Sequence, residues 1–157
     1  MKLFTVEEAN DLLQFIRPKL QKIKSHYEKL AVFRESAKAA ALAASEFGGG
    51  GMKGGSIYVK SLYEIGKITT EINEIGVQLK DYTRGLIDFP SMREERVVLL
   101  CWQLGEGDYI EWWHEIEAGY IGRQPLWFLI LDLLFSIFYL KIQKSRVFAQ
   151  FTIDELK

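Results

Sequence analysis

The chain is poor in several residue types, and each shortage narrows the field. It has one cysteine, three prolines and two histidines, and its 20 Lys+Arg against 21 Asp+Glu leave a net charge of −1. A lone cysteine rules out an intrachain disulfide. No Cys-x-x-Cys pair is present, so the usual ligand spacing of a structural zinc site is missing. Balanced charge argues against a protein that coats nucleic acid, because phosphate neutralisation needs surplus Lys and Arg; no nucleic-acid partner is expected. The opening MKLFTVEEAN carries acids where a signal peptide has an apolar run, which makes a cytoplasmic location the expectation. What remains is 157 residues with 48% hydrophobic and 13% aromatic content, enough for one packed core.

Thr5 and Glu8 form the capping box of a first helix, with Phe4 and Ala9 in staple positions. Leu13, Ile16, Leu20, Ile23, Tyr27 and Leu30 then follow in steps of three and four, a narrow heptad stripe of coiled-coil type that suits packing on another helix. Pro18 falls inside it and predicts a kink near Gln14. Lys19, Lys22, Lys24, Lys29 and Arg34 read as a solvated face. The Ala-rich stretch Ser36 to Ser45 prolongs the helix, and Gly48 to Gly55 reads as a flexible connector. A phosphate-binding loop would need a Lys and a Ser or Thr at fixed spacing between a strand and a helix, and the segment meets neither condition. Ser56 is a candidate cap for a second helix. Its stripe runs Tyr58, Leu62, Ile65, Thr69, Ile72, Gly76, widened by Ile68, Ile75 and Leu79.

From about Gly85 the period becomes that of strands. Leu86 to Phe89 predicts a short edge strand ending at Pro90. Val97 to Trp102 and Tyr109 to His114 predict a hairpin around a Glu106-Gly107 turn. That register pairs Leu104 with Tyr109, Trp102 with Glu111, Leu100 with Trp113, Cys101 with Trp112 and Leu99 with His114. It sets Leu99, Cys101, Ile110 and Trp112 on one face, with Cys101 and His114 diagonal neighbours, and Leu100, Trp102 and Trp113 on the other. The expected fold class is therefore α+β: a long antiparallel helical hairpin over 5–80, a small antiparallel sheet over 85–115, and a C-terminal helix.

The blocks FTVEEANDLL, GVQLKD, GLIDFP, LLCWQLGE and WWHEIEAGYIGRQPL, in this order, resemble the bacterial family described as domain of unknown function 2203. The resemblance covers Phe4 to Leu126 and implies one domain over 1–126, with no activity, cofactor or catalytic residue attached. The chain departs from the family in two places. Arg93-Glu94-Glu95-Arg96 stands where members carry a Gly, so a looser turn is expected there. Residues 127–157 form a hydrophobic extension where members tend to stop.

Gly76 to Leu126 holds three of the four tryptophans, the cysteine and one histidine among charges, and the candidate binding surface lies within it. It comprises Lys80, Asp81, Asp88, Trp102, Glu106, Trp113, His114, Glu117 and Arg123. Cys101, His114 and Glu117 are acceptable metal ligands, and Asp88 or Glu106 could complete a set; whether any metal or cofactor binds stays open. Cys101 mid-strand suits a small core residue better than a nucleophile. Glu111 opposite Trp102 would be desolvated and suited to acid–base work, but pairing of these acids with Lys80, Arg84, Arg93, Arg96 and Arg123 is the more economical account. Aromatics with Arg123 supply interface chemistry. The preferred expectation is a small non-catalytic binding or assembly protein that forms a homodimer, the alternative a metal- or ligand-binding enzyme using carboxylates and His114. Leu126 to Leu140 would span only about 22 Å as a helix against a ~30 Å hydrocarbon core. A fold-back helix is expected over a membrane tether, which stays the second alternative.

Overall fold

Thr5 Oγ1 accepts the Glu8 amide at 3.1 Å and a Glu8 carboxylate oxygen accepts the Thr5 amide at 2.9 Å, so the capping box starts helix α1 (Val6–Phe47) as expected. In this computed structural model residues 1–49 and 51–126 are described. The chain divides into two units, Met1–Arg123 and Gln124–Lys157. Of the second only residues 124–126 are described, containing a two-residue strand, Gln124–Pro125. The expected C-terminal helix and the hydrophobic extension lie outside the described residues.

Within the first unit, α1 buries Ala9, Leu13, Ile16, Leu20 and Ile23, the proximal part of the predicted stripe. It continues through Pro18 without a break. Helix α2 (Gly55–Ile75) packs on it antiparallel, tied by an ion pair between Lys19 and Glu71 and by His26 Nδ1 and Ser61 Oγ at 3.3 Å.

Two expectations for α2 are corrected. Ser56 is not its cap; Gly54 is, with φ +79. A Cβ on Gly54 would lie 2.3 Å from the Phe33 ring, so no capping side chain fits where the helices meet. The buried stripe is Ser61, Ile65, Ile68 and Ile72, while Leu62 is 47% exposed. The helix turns Ser61 toward α1, where its hydroxyl meets His26, and Leu62 lies outward.

Helix α2 ends at Gly76, so the helical hairpin stops short of residue 80, and Gln78–Asp81 forms β1. The sheet continues antiparallel through β2 (Leu86–Arg93), β3 (Arg96–Gln103) and β4 (Trp112–Glu115), in spatial order β1-β2-β3-β4. The predicted edge strand is thus interior, and it runs through Pro90 rather than ending there. Its pairing with β1 reaches only to Asp88, opposite Gln78. Beyond that point the Pro90 carbonyl accepts the Phe4 amide at 2.8 Å. In a strand, a residue's N and O point to the same side, so the missing Pro90 N–H falls where no ladder partner is needed.

The predicted register of β3 on β4 holds: Leu99 faces His114, Leu100 faces Trp113 and Cys101 faces Trp112. The pairs beyond it do not form. Residues 104–111 are drawn onto α1 instead: Asn10 Oδ1 accepts the Ile110 amide at 2.8 Å, and Arg17 bonds Asp108 at 2.7 Å and the Gly107 carbonyl at 3.2 Å. Glu111 is therefore exposed in a loop and not opposite Trp102, and Ile110 is buried in that loop rather than on a strand face. The β2–β3 turn is tight, contrary to the looser turn expected. Arg93 pairs with Arg96, and Glu94 and Glu95 adopt φ +47 and +64, the conformation of a two-residue hairpin turn.

Alternation gives the sheet two faces. Ile87, Phe89, Val98, Leu100, Trp102 and Trp113 form the core side, where Phe4 meets Phe89 edge-on at 5.5 Å and Arg17 lies over Trp102. The opposite face carries Leu86, Asp88, Leu99, Cys101, Trp112 and His114.

Candidate functional site

Cross-strand pairing alone brings the polar groups of this second face together. Asp88 on β2 sits opposite Cys101 on β3, and Cys101 sits opposite Trp112 on β4, so His114, two residues further along β4, is its diagonal neighbour. One ligand atom from each of Asp88, Cys101 and His114 lies within 4.8 Å of the other two, and all three residues are buried. Asp88 is 2% exposed and His114 3%, an unusual cost for an acid and an imidazole unless they have partners.

The partners are specific. His114 Nδ1 lies 2.8 Å from the Glu115 carbonyl oxygen, which can only accept, so Nδ1 carries a hydrogen and donates it. In the neutral ring this leaves the Nε2 lone pair facing Asp88 Oδ1 at 3.4 Å. The second carboxylate oxygen, Oδ2, has Lys80 Nζ at 3.9 Å. Lys80 is placed there by a β-bulge: Leu79 pairs with Ile87 and Asp81 with Leu86, so Lys80 is the extra residue between them. Arg123 Nη1 approaches Cys101 Sγ at 3.8 Å while pairing with Glu106 at 2.7 Å. Burial, then the charge of Asp88, push the Cys101 thiol up to about 12. The sulfur is thus a thiol at neutral pH and not a free nucleophile.

Asp88 and His114 open on one side into a cleft of about 300 Å³. Its walls include Leu86, Val97, Leu99, Ile116 and Tyr120, with Gln78 and Lys80 at the polar edge.

Of the nine predicted site residues, the structure gathers Lys80, Asp88 and His114 at the cleft, with Glu106 and Arg123 bracing Cys101 behind it. Four do not join. Asp81 holds the 82–85 turn: its Oδ1 accepts Thr83 Oγ1 at 2.6 Å and the amides of Thr83 and Arg84, and its Oδ2 accepts Arg84 Nε. Trp102 and Trp113 point to the core, the first donating its indole N–H to the Gly107 carbonyl at 3.0 Å and the second lying under Arg93. Glu117 is exposed in the turn after β4. Of the candidate metal ligands, then, Cys101 and His114 meet, Asp88 completes the set, and Glu117 and Glu106 do not. The cleft walls were missed. The alternation Val97-Leu99-Cys101 is the available signal for Val97 and Leu99, whereas reading 76–80 as helix hides Gln78.

No curated protein and no solved structure matches the chain. A family model does match, over residues 2–126, which take in the whole of the helical pair, the sheet and the buried cluster. The chain belongs to the family of uncharacterized conserved proteins described as DUF2203.

Proposed function

We propose that the chain is a small non-catalytic binding protein whose ligand site is the cleft over Asp88 and His114. The observation that carries this reading is a buried acid and imidazole forming the polar floor of an otherwise largely apolar cleft. Pockets for small molecules combine these features: apolar walls that give affinity and a few fixed polar groups that orient the ligand. Lys80, on the exposed edge, favours a ligand with an apolar body and an anionic head. A protonated Cys101 supports binding over nucleophilic catalysis.

The test is a panel of small aromatic carboxylates titrated into isotope-labelled protein and followed by NMR. Amide shifts should cluster at Lys80, Leu86, Leu99, His114 and Gly119, and Leu99→Trp should abolish them by filling the cleft. Shifts scattered over the helices, or none across the panel, would sink the reading.

Self-association is a second reading. Among the described residues, Leu42, Phe47, Val59 and Tyr63 on the outer parts of α1 and α2 are 59–81% exposed. Such an apolar surface suits a copy of the same chain, giving a homodimer of coiled-coil type. Sedimentation should show a dimer at micromolar concentration that Val59→Glu with Tyr63→Lys dissociates; an 18 kDa species throughout counts against it. No helix among the described residues is long and apolar enough to cross a membrane. The free buried thiol fits a reducing compartment, so the bacterial cytoplasm is the proposed location.

A further inference from the structure

We infer that Asp88, Cys101 and His114 form a binding site for a divalent transition metal, zinc by preference, at the floor of the cleft. This goes beyond the ligand-binding reading and does not depend on it.

Three electron-rich atoms converge there. The Glu115 carbonyl fixes the hydrogen of His114 on Nδ1, which turns the Nε2 lone pair toward the Asp88 carboxylate and the Cys101 sulfur. With the imidazole neutral, its lone pair and the carboxylate oxygen are two ligand atoms that one metal ion can bridge. Carboxylate and imidazole ligands at ~2.0–2.1 Å from a tetrahedral zinc stand about 3.3–3.4 Å apart. The observed separation of Nε2 and Oδ1 is 3.4 Å. All three ligand atoms lie within 4.8 Å of one another. A thiolate would stand about 3.6 Å from either other ligand, a difference that rotation of the Cys101 side chain can close.

Charge and surroundings point the same way. On binding, the ion displaces the Cys101 thiol proton to solvent, and the resulting thiolate, with a carboxylate and a neutral imidazole, neutralises its charge. Each ligand is also held from behind: His114 by the Glu115 carbonyl, Asp88 by Lys80 on its other oxygen, and Cys101 by Arg123. A soft sulfur with one nitrogen and one oxygen selects zinc over magnesium or calcium. Three protein ligands leave a fourth position, and because Asp88 and His114 line the cleft, that position opens into it.

Cobalt(II) reports on such a site, because a cobalt–thiolate bond gives a charge-transfer band in the near ultraviolet. Reduced full-length protein titrated with Co²⁺ should develop the band to one equivalent per chain, and one equivalent of Zn²⁺ should abolish it. Cys101→Ser should lose the band. His114→Gln and Asp88→Asn should each weaken binding by at least about 10-fold, while Glu117→Ala, outside the cluster, should bind like wild type. Absence of the band in wild-type protein would overturn the proposal, as would a band that survives in Cys101→Ser. The wild-type titration with zinc displacement decides the matter even if a variant fails to fold. Carboxylate binding at the cleft without a cobalt band would leave the ligand-binding reading standing and remove the metal, and the reverse result would do the opposite.

Discussion

Glu94 and Glu95 both occupy the left-handed region without a glycine. Holding a non-glycine residue there costs on the order of 1 kcal/mol or more. Glu94 is compensated by Arg93 at 3.3 Å and Arg96 at 3.6 Å, whereas Glu95 is simply exposed. Glu95→Gly is therefore expected to stabilise the chain by about 1 kcal/mol, read as a higher denaturant midpoint at unchanged slope. Asp81 gives a pH prediction. The Thr83 hydroxyl, then the Arg84 amide and guanidinium, hold its carboxyl well below the value of 3.8 it has when free. A folded-state pKa below the unfolded one stabilises above the unfolded value, and that contribution drains away as pH falls from about 3.8 downward. Asp81→Asn should flatten the acid side of the stability profile below about pH 4 and leave the remaining slope intact; an unchanged acid limb would show that the turn does not depend on the charge.

At the level of elements, local signals were readable wherever local chemistry decides. Thr5 and Glu8 specify a helix start by themselves, and the alternation in Val97 to Trp102 sets the register that brings Cys101 near His114. The errors arose where a distant partner decides. Nothing local in Tyr58 to Ile75 reveals the His26 partner on α1, so the sequence pattern runs through Leu62 where the fold buries Ser61. Pro90 looked like a strand end because the Phe4 amide that meets its carbonyl lies some eighty residues away in sequence. Asp88, one of the two acids expected to complete the set, is placed opposite Cys101 by the two-residue Glu94-Glu95 turn, and that register selects it over Glu106. The helix correction can be checked directly. Leu62→Ser should change stability by no more than about 0.5 kcal/mol, and Ser61→Leu should destabilise by about 1–3 kcal/mol through overpacking. The reverse ranking would restore the original stripe.

At the scale of the whole molecule, the buried core and the family match both fall within residues 1–126. A chain cut after Leu126 should therefore fold cooperatively, with near-native circular dichroism and a sharp thermal transition; a broad or absent transition would make the remainder an integral part of the core. A different constraint follows from the contact of Gly54 with Phe33. It sets the beginning of α2 beside the middle of α1, and a small cavity lined by Tyr27, Leu30, Ala31, Arg34 and Tyr58 agrees. Helix α1 nevertheless continues to Phe47, some fourteen residues past Phe33, about 21 Å at ~1.5 Å per residue. No residue from 34 to 47 is buried, so this projecting end is held by its own backbone hydrogen bonds rather than by packing. Amide exchange should therefore quicken from Arg34 to Phe47 while Leu13 to Ile23 stay protected, and equal protection along the whole helix would show that another surface covers its end.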